Sequence, residues 1–212
     1  MVYAPTQPLK PPPGIVTEEQ FYSFIRACEG HQLWEQVNGE IKAMGEPSGK
    51  HESLQAWLLF QLQSQIYAQN LPLAVHSRIL CCLDLQEKRR PDILVVDREV
   101  WRRNTQREAI LTEPPELVIE IVSTHWQEDY QKKALWYAAF GVKEYWIADL
   151  LLKLEDYPAR KHPDIDEPTL SIGSLVGGAY QFQRFTGSTP IASQLFLQLH
   201  LSVEQMVAAA NA

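Results

Sequence analysis

Residues 117–149, with the sequence LVIEIVSTHWQEDYQKKALWYAAFGVKEYWIAD, set the expected architecture of this chain. The apolar runs Leu117 to Val122 and Tyr145 to Ala148 predict two buried strands. Trp126 to Phe140 predicts a helix between them. A helix that crosses between two strands indicates a strand–helix–strand unit, which predicts an α/β fold.

Capping signals mark both ends of this crossing helix. Ser123 or Thr124 can open it, with Gln127 as the capping partner, and Gly141 can close it. Because both ends carry such signals, the helix is expected to have defined boundaries.

Two further segments extend the predicted sheet, and a long helix accompanies it. Leu73 to Leu83 alternates between apolar and polar residues, and Ile93 to Val96 is continuously apolar. Both are therefore predicted as strands of the same sheet. After Ser48, residues from His51 to Gln69 place apolar side chains on one helical face, which predicts a major core helix.

The N-terminal part begins with a proline-rich segment. Its five prolines predict an extended arm over residues 1–16. Thr17 and Gln20 form a capping-box pattern, which predicts that the first helix starts there. The pair Asn38-Gly39 lies between two extended segments and predicts a β-hairpin.

Signals are weaker after Asp149. Leu151 to Tyr157 and Tyr180 to Phe185 are predicted as strands, and Ser202 to Ala210 as a short helix. The chain shows no internal repeat and no interdomain linker. We therefore expect one domain over residues 17–212.

Composition limits the classes of function. The 212 residues are 45% hydrophobic, enough for one substantial core, and the formal net charge is −7. A protein that coats nucleic acid needs clustered Lys and Arg, so this charge argues against it. Local basic stretches occur at Lys88-Arg89-Arg90 and Arg102-Arg103. Any affinity for DNA is therefore expected to be local and sensitive to salt.

Targeting and cysteine patterns favour the cytoplasm. The apolar runs are far shorter than the roughly 20 residues that span a bilayer, and the N-terminus lacks a signal-peptide pattern. Cys81 and Cys82 are adjacent and would point to opposite faces of a strand, which makes a poor disulfide framework. We expect a cytoplasmic protein without membrane contact.

Two carboxylates stand in unusual places. Glu120 lies inside an apolar strand, where a charge is costly unless it is paired or bound to metal. Asp92 stands where the strand beginning at Ile93 starts. Together they could hold Mg²⁺ or Mn²⁺, and Lys133 on the following helix could stabilise charge on phosphorus. Each residue taken singly also has a structural interpretation. Glu120 could be a charge on an edge strand, Asp92 a cap where a strand begins, and Lys133 a solvated residue on a helix.

A family resemblance joins these residues. The series Pro91 to Val96, Pro115 to Ser123, Asp129 to Lys133, Tyr137 and Gly141 to Asp149 resembles the bacterial Uma-two family of restriction-endonuclease-like proteins, within the PD-(D/E)XK nuclease superfamily. The resemblance implies an α/β restriction-endonuclease-like core, in which a mixed β-sheet is flanked by α-helices.

The resemblance also implies roles for particular residues. Asp92 and Glu120 would bind the divalent metal. Val122 stands where the superfamily has its lysine, and the family pattern moves that lysine to Lys133, with Lys132 as the alternative. Two further positions match the family near the site. These are Glu40, a possible metal ligand, and His51, which could contact phosphate or begin the long helix.

Three functions remain open from the sequence. The first is a metal-dependent endonuclease that hydrolyses DNA phosphodiester bonds with Mg²⁺ or Mn²⁺. The second is a catalytically inactive module that keeps the nuclease fold for binding, since fold does not establish activity. The third is a hydrolase of another phosphate ester. A homodimer is expected if both strands of DNA are cut, because two symmetric sites would serve that purpose.

Overall fold

The structure is a computed structural model and describes residues 9–28, 32–104, 109–123, 126–152 and 162–212. Its helices are α1 (Glu18–Ala27), α2 (Gly49–Ala68), α3 (Arg98–Asn104), α4 (Ala134–Phe140) and α5 (Val203–Ala210). Its strands are β1 (Trp34–Val37), β2 (Glu40–Ala43), β3 (Leu73–Ser77), β4 (Leu80–Cys82), β5 (Lys88–Arg89), β6 (Ile93–Asp97), β7 (Ile110–Leu111), β8 (Leu117–Ile121), β9 (Glu144–Asp149), β10 (Thr169–Val176) and β11 (Ala179–Thr186). These elements form two mixed sheets flanked by helices, so the predicted α/β class is confirmed.

The large sheet has six strands in the order β11-β10-β9-β8-β6-β3. Strands β8 and β9 are parallel, whereas the other neighbours are antiparallel. The helical segment from Trp126 to Phe140 connects the parallel pair. The strand–helix–strand unit predicted from residues 117–149 is therefore confirmed, and it occupies the centre of the sheet.

The small sheet corrects the prediction of a single sheet. Leu73 to Leu83 forms two strands, β3 and β4, and they belong to different sheets. The break lies at Arg78, whose φ of 56° is a left-handed conformation that a continuous strand does not contain. Local alternation of apolar residues gave no sign of this break, because β4 joins the small sheet through its pairing with β5 and β7, and β5 pairs in turn with β1.

The predicted hairpin is present as β1 and β2. Asn38 and Gly39 form its two-residue turn with φ angles of 51° and 79°, the left-handed pair that such turns require. A Cβ on Gly39 would also lie 2.8 Å from Cγ2 of Ile15. Glycine is therefore needed here for its conformation and for the close approach of the N-terminal segment.

Alternation along β8 divides the core into two faces. Leu117, Ile119 and Ile121 pack in the cluster that contains residues of α2 and α5. Val118 and Val122 pack in the opposite cluster, which contains residues of α4. Glu120 shares the face of Val118 and Val122, as the sequence predicted.

Local capping signals account for three of the helices. Thr17 and Gln20 form the predicted capping box of α1, and Ser202 and Gln205 form another at α5. Ser48 caps α2 by accepting a hydrogen bond from the backbone N–H of His51. These side chains satisfy backbone N–H groups that a helix start leaves without partners.

The crossing helix differs from a regular α-helix. Glu128–Lys133 is π-helical, and the α-helical part α4 follows it and ends at Gly141, whose φ is 94°. The predicted closing residue is therefore confirmed. Thr124, one of the two predicted opening residues, lies outside the described residues.

Other predictions have mixed outcomes. The late strand and the C-terminal helix are confirmed as β11 and α5. Strand β10 was not predicted, because its start adjoins a segment rich in Pro and Asp. Most of the predicted strand Leu151–Tyr157 lies outside the described residues, and residues 151–152 are not in a strand.

Two further observations concern membrane-spanning helices and cysteines. Among the helices of the described part of the chain, none is long and apolar enough to cross a membrane. The three cysteines, Cys28, Cys81 and Cys82, are free thiols.

Candidate metal and phosphate site

A cavity of about 690 Å³ opens between the β1–β2 hairpin, the start of α2 and the π-helical segment. Its lining includes seven carboxylates and five cationic side chains. The carboxylates are those of Glu35, Glu40, Glu46, Asp92, Glu120, Glu128 and Asp129, and the cations are Lys42, Arg78, Arg89, Lys132 and Lys133. All the site residues predicted from the sequence lie on this one cavity, His51 included.

Asp92 is placed at the cavity by the entry to β6. It is 8% exposed, and its Oδ2 accepts the backbone N–H of Ile121 at 2.8 Å. Nε2 of His51 lies 3.1 Å from the same oxygen. Burial acts to raise the pKa of Asp92, but the hydrogen bond and charge of His51, the charge of Lys133 and the Ile121 N–H together lower it.

Glu120 comes from the adjacent strand β8 and is 2% exposed. Its Oε2 lies 2.8 Å from Nζ of Lys133, and its Oε1 accepts the hydroxyl hydrogen of Tyr137 at 2.5 Å. Burial raises the pKa of Glu120 to about 8, and the carboxylates of Asp92 and Asp129 act in the same direction, whereas Lys133 opposes them. Glu120 therefore binds protons more tightly than an ordinary glutamate.

Lys133 lies between two carboxylates. Its Nζ is 2.8 Å from Glu120 Oε2 and 3.0 Å from Asp129 Oδ1. Burial acts to lower the pKa of Lys133, but Asp129 and Glu120 outweigh it and hold the pKa well above its ordinary value. Lys133 is therefore a fixed positive charge and not a proton acceptor at neutral pH.

The π-helical segment explains how this lysine reaches the site. Its i→i+5 hydrogen bonding gives a wider turn than that of an α-helix, and such segments are frequent at functional sites. Glu128, Asp129, Lys132 and Lys133 all line the cavity. The segment thus places two acidic and two basic side chains on the same wall.

His51 begins α2 and also touches the site. The sequence left open whether it contacts phosphate or starts the helix. It lies in the first turn, is 6% exposed, and has Nε2 on Asp92 and Nδ1 3.4 Å from Oε1 of Glu52. Its clearest contact is therefore with the Asp92 carboxylate.

Glu40 and Lys132, the other two predicted positions, line the cavity in more exposed places. Glu40 forms an ion pair with Lys42, and Lys132 forms one with Glu128. The structure thus assigns the contact with Glu120 to Lys133 and leaves Lys132, whose side chain is 64% exposed, at the opening of the cavity.

Asp129 and Tyr137 belong to the series that carries the family resemblance, but the sequence analysis predicted no role at the site for either of them. Both contact the Lys133–Glu120 pair directly. The spacing of Asp129 and Lys133, four residues apart on one helix, is a signal that could have found the aspartate. The Tyr137 contact depends on how the helix crosses β8, which spacing does not give.

Of the two basic stretches predicted as local DNA contacts, only Arg89 lines the cavity. Lys88 is fully buried, where its Nζ bonds to Gln36 and to two backbone carbonyls. Arg102 and Arg103 are exposed on α3 and pair with Glu99 and Glu113. None of these three residues lines the cavity.

The donor set limits what the cavity could hold. Carboxylate oxygens are ligands that Mg²⁺ and Mn²⁺ prefer. Asp92, just before β6, and Glu120, on the neighbouring strand β8, supply them. No group of three His, Cys, Asp or Glu side chains with metal-binding geometry occurs in the described ranges. The arrangement therefore fits a hard cation held by few protein ligands better than a closed structural metal site.

Comparison with known proteins agrees with this architecture. A crystal structure from Anabaena variabilis ATCC 29413, described as a putative nuclease belonging to DUF820, is similar over 92% of this chain and 99% of that chain. The TM-score is 0.70 and the sequence identity is 20%, so the likeness concerns the fold. The fold class is that of the restriction-endonuclease-like proteins.

The family follows from a second comparison. The family model of Uma2, described as putative restriction endonuclease, matches residues 19–204. The chain therefore belongs to the Uma2 family. The search of curated proteins gave no match. Family and fold together point to a nuclease.

Proposed function

We propose that this protein is a Mg²⁺- or Mn²⁺-dependent endonuclease that hydrolyses DNA phosphodiester bonds. The observation that carries the proposal is the convergence of Asp92, Glu120 and Lys133 in one cavity. Each alone has an ordinary structural explanation. Together they place two buried carboxylates, one just before β6 and one on β8, beside a lysine that lies 2.8 Å from one of them, and clusters of this kind are frequent at functional sites.

Charge supports a cation at this place. The carboxylates of Asp92, Glu120 and Asp129 influence one another and share Lys133 as their nearby lysine. Buried carboxylates that are not fully compensated are costly. In the proposal, Asp92 and Glu120 hold the divalent ion, which supplies Lewis-acid polarisation and an activated water when bound.

The chain's own residues then have distinct roles. The Ile121 N–H and His51 hold the Asp92 carboxylate, and Tyr137 holds that of Glu120. Lys133, a persistent cation, donates hydrogen bonds to the attacking water or to the phosphoryl oxygens, where negative charge develops. Asp129 keeps the Lys133 ammonium directed toward Glu120.

The size of the cavity favours a second candidate. Its volume of about 690 Å³ lies within the roughly 300–1,000 Å³ of small-molecule sites. Hydrolysis of a smaller phosphate ester would use the same carboxylates and the same lysine. The alternative of an inactive binding module is an outcome of the test below.

The test is metal-dependent cleavage of supercoiled plasmid, single-stranded DNA and bis-p-nitrophenyl phosphate. Wild type is compared with Asp92→Asn, Glu120→Gln and Lys133→Met in Mg²⁺, in Mn²⁺ and in EDTA. Lys143→Ala is the matched lysine control, because Lys143 forms an ion pair with Glu116, is 73% exposed and does not line the cavity. Thermal melting of each variant establishes that it is folded.

The outcomes separate the candidates. Plasmid nicking that requires metal, is lost in the three site variants and is kept in Lys143→Ala supports the nuclease. Turnover of the small ester without cleavage of DNA supports the second candidate. If the folded wild-type protein turns over none of the substrates, the result supports the inactive binding module. For a homodimer with two sites, we expect linear plasmid to form together with nicked plasmid, and a molecular mass of two chains by light scattering.

A further inference from the structure

We propose that Lys42, Arg78 and Lys132, here called the rim cations, bind the phosphates that flank the reacting phosphate of a nucleic-acid strand. The proposal rests on the proposed function and adds to it the surface that holds the substrate. The net charge of −7 requires any nucleic-acid contact to be local. The three side chains supply cations at the cavity, and the basic stretches of the sequence did not indicate them.

The fold assembles these cations from three separate places. Lys42 lies on β2 of the hairpin, Arg78 lies between β3 and β4, and Lys132 lies on the π-helical segment. All three line the cavity that contains Asp92 and Glu120. A strand whose reacting phosphate reached those carboxylates would therefore pass close to all three cations.

Their present partners are easily replaced. Lys42 pairs with Glu40 and Lys132 with Glu128, and the two lysine side chains are 53% and 64% exposed. Exposed ion pairs contribute little to stability, because water and salt screen them. A phosphate group can replace a carboxylate in such a pair at little cost, and the carboxylate then returns to solvent.

Arg78 is held more firmly. Its guanidinium contacts Glu52 and Gln55 on the first turns of α2, and Gln55 is buried. Its backbone N–H donates to the carbonyl of Pro91, the residue before Asp92. A non-glycine residue with a φ of 56° is uncommon, and such conformations concentrate at functional sites. Here the left-handed turn brings an arginine to the cavity at the junction of the two sheets.

Three other cations among the described residues differ from the rim cations in exposure or position. Arg89 also lines the cavity, but its side chain is 7% exposed and lies between Glu35 and Glu87. Lys133 belongs to the buried cluster with Glu120. Arg102 is 69% exposed and forms an ion pair with Glu99, and it thus resembles the rim cations, which also pair with carboxylates. Unlike them, it lies outside the cavity. Arg102 is therefore the matched control for an exposed, carboxylate-paired cation.

Counterion release provides a readout that is independent of turnover. Each phosphate contact contributes about 0.7 to the slope of log affinity against log salt for single strands and about 0.9 for duplex DNA. Neutralising a residue that binds phosphate should reduce the magnitude of that slope by about the contribution of one phosphate contact, whatever the base sequence. A residue that only stabilises the fold would not change the slope.

The experiment measures binding of a fluorescein-labelled single strand, and of the corresponding duplex, by anisotropy over a range of salt concentrations. Ca²⁺ is present as the divalent ion, and gels verify that the probe stays intact. The variants are Lys42→Ala, Arg78→Lys, Arg78→Ala and Lys132→Ala, with Arg102→Ala and Lys143→Ala as controls. Because Lys42 and Lys132 are exposed, their substitutions should leave the melting temperature unchanged even if Arg78→Ala weakens the fold.

We expect each rim substitution to weaken binding by about threefold to tenfold and to lower the salt slope by about one contact, with the controls unchanged. Equal losses in Arg102→Ala, or unchanged slopes in the Lys42 and Lys132 variants, would overturn the proposal. The proposed function is contradicted separately if the rim substitutions weaken DNA binding as expected but the wild-type protein cleaves no substrate. Conversely, cleavage with unchanged KM in the rim variants would refute the rim proposal alone.

Discussion

The cavity holds its charges in two different ways. Its floor, formed by Asp92, Glu120, Asp129 and Lys133, consists of buried groups with shared hydrogen bonds and shifted pKa values. The rim cations are more exposed, and within the described part of the chain the two rim lysines form ion pairs with carboxylates near them in the sequence. Buried charges depend on one another, whereas exposed pairs are nearly independent. The floor is therefore suited to chemistry, and the rim is suited to reversible contact with a charged substrate.

The adjacent residues Lys132 and Lys133 allow a direct comparison, because Lys132 lies on the exposed rim and Lys133 on the buried floor. We predict that Lys133→Met lowers kcat by about 100-fold or more, the usual effect of removing a donor from developing negative charge. Lys132→Met should leave kcat within about twofold and raise KM, since exposed pairs have small effects. Plasmid-nicking kinetics at saturating metal measure both. Equal losses of kcat in the two variants would remove the distinction between floor and rim.

The two lysines also show what the sequence could reveal. Glu120 and Asp92 were recognisable because a carboxylate within or beside an apolar strand is unusual. Lys133 was a candidate from its place on the following helix and from the family pattern. Its contact with Glu120 could not be predicted, because that contact depends on a π-helical turn that local propensity does not encode. The strand–helix–strand unit was predictable from its apolar runs and terminal glycine, since those signals are local.

The small sheet and the rim were not predictable in this way. Arg78 interrupts an alternating segment, and its left-handed conformation follows from the pairing of β3 and β4 with strands of different sheets. Lys88-Arg89-Arg90 suggested a basic surface, but tertiary packing buries Lys88 and Arg89. The runs of basic residues in the sequence therefore did not indicate where the exposed cations of the cavity lie.

Buried carboxylates close to the floor should reduce stability, and Asp149 tests this. Burial raises its pKa to about 6. A hydrogen bond from the Leu151 backbone N–H opposes this shift, and the charge of Asp129 adds to it. The folded state then binds a proton that the unfolded state has already lost between about pH 4 and pH 6. The free energy of unfolding should therefore fall as pH rises through this window.

We predict that Asp149→Asn removes this fall and stabilises the protein at pH 7 by about 2 to 3 kcal/mol, because a shift of one pKa unit corresponds to about 1.4 kcal/mol. Urea denaturation at pH 4 and pH 7 measures the effect. Glu128→Gln, at the exposed rim, is the control and should not change the pH dependence. A loss of stability in Asp149→Asn at pH 7 would show that the hydrogen bond from Leu151 to the carboxylate outweighs the cost of its burial.

A smaller effect is expected where a floor residue acts through another. Asn at position 129 keeps an oxygen near the Lys133 Nζ but removes the negative charge 3.0 Å from it. We predict that Asp129→Asn lowers kcat by about tenfold, with little change in KM, because the ammonium is less firmly directed toward Glu120. A change confined to KM would instead assign Asp129 to substrate binding. Recovery of kcat in Asp129→Glu would support the positioning role.

The smallest predicted effect concerns a rim carboxylate and has the opposite sign. Glu128 forms an ion pair with Lys132 at the opening of the cavity. If Lys132 binds phosphate, Glu128 competes with the substrate for it, so Glu128→Gln should tighten oligonucleotide binding. Exposed pairs of this kind are worth about 0.3–0.5 kcal/mol, which corresponds to roughly twofold in affinity. Glu99→Gln, which frees Arg102 outside the cavity, should leave the affinity unchanged. Equal tightening in both variants would attribute the gain to net charge alone, whereas a gain confined to Glu128→Gln identifies Lys132 as a contact with the nucleic-acid strand.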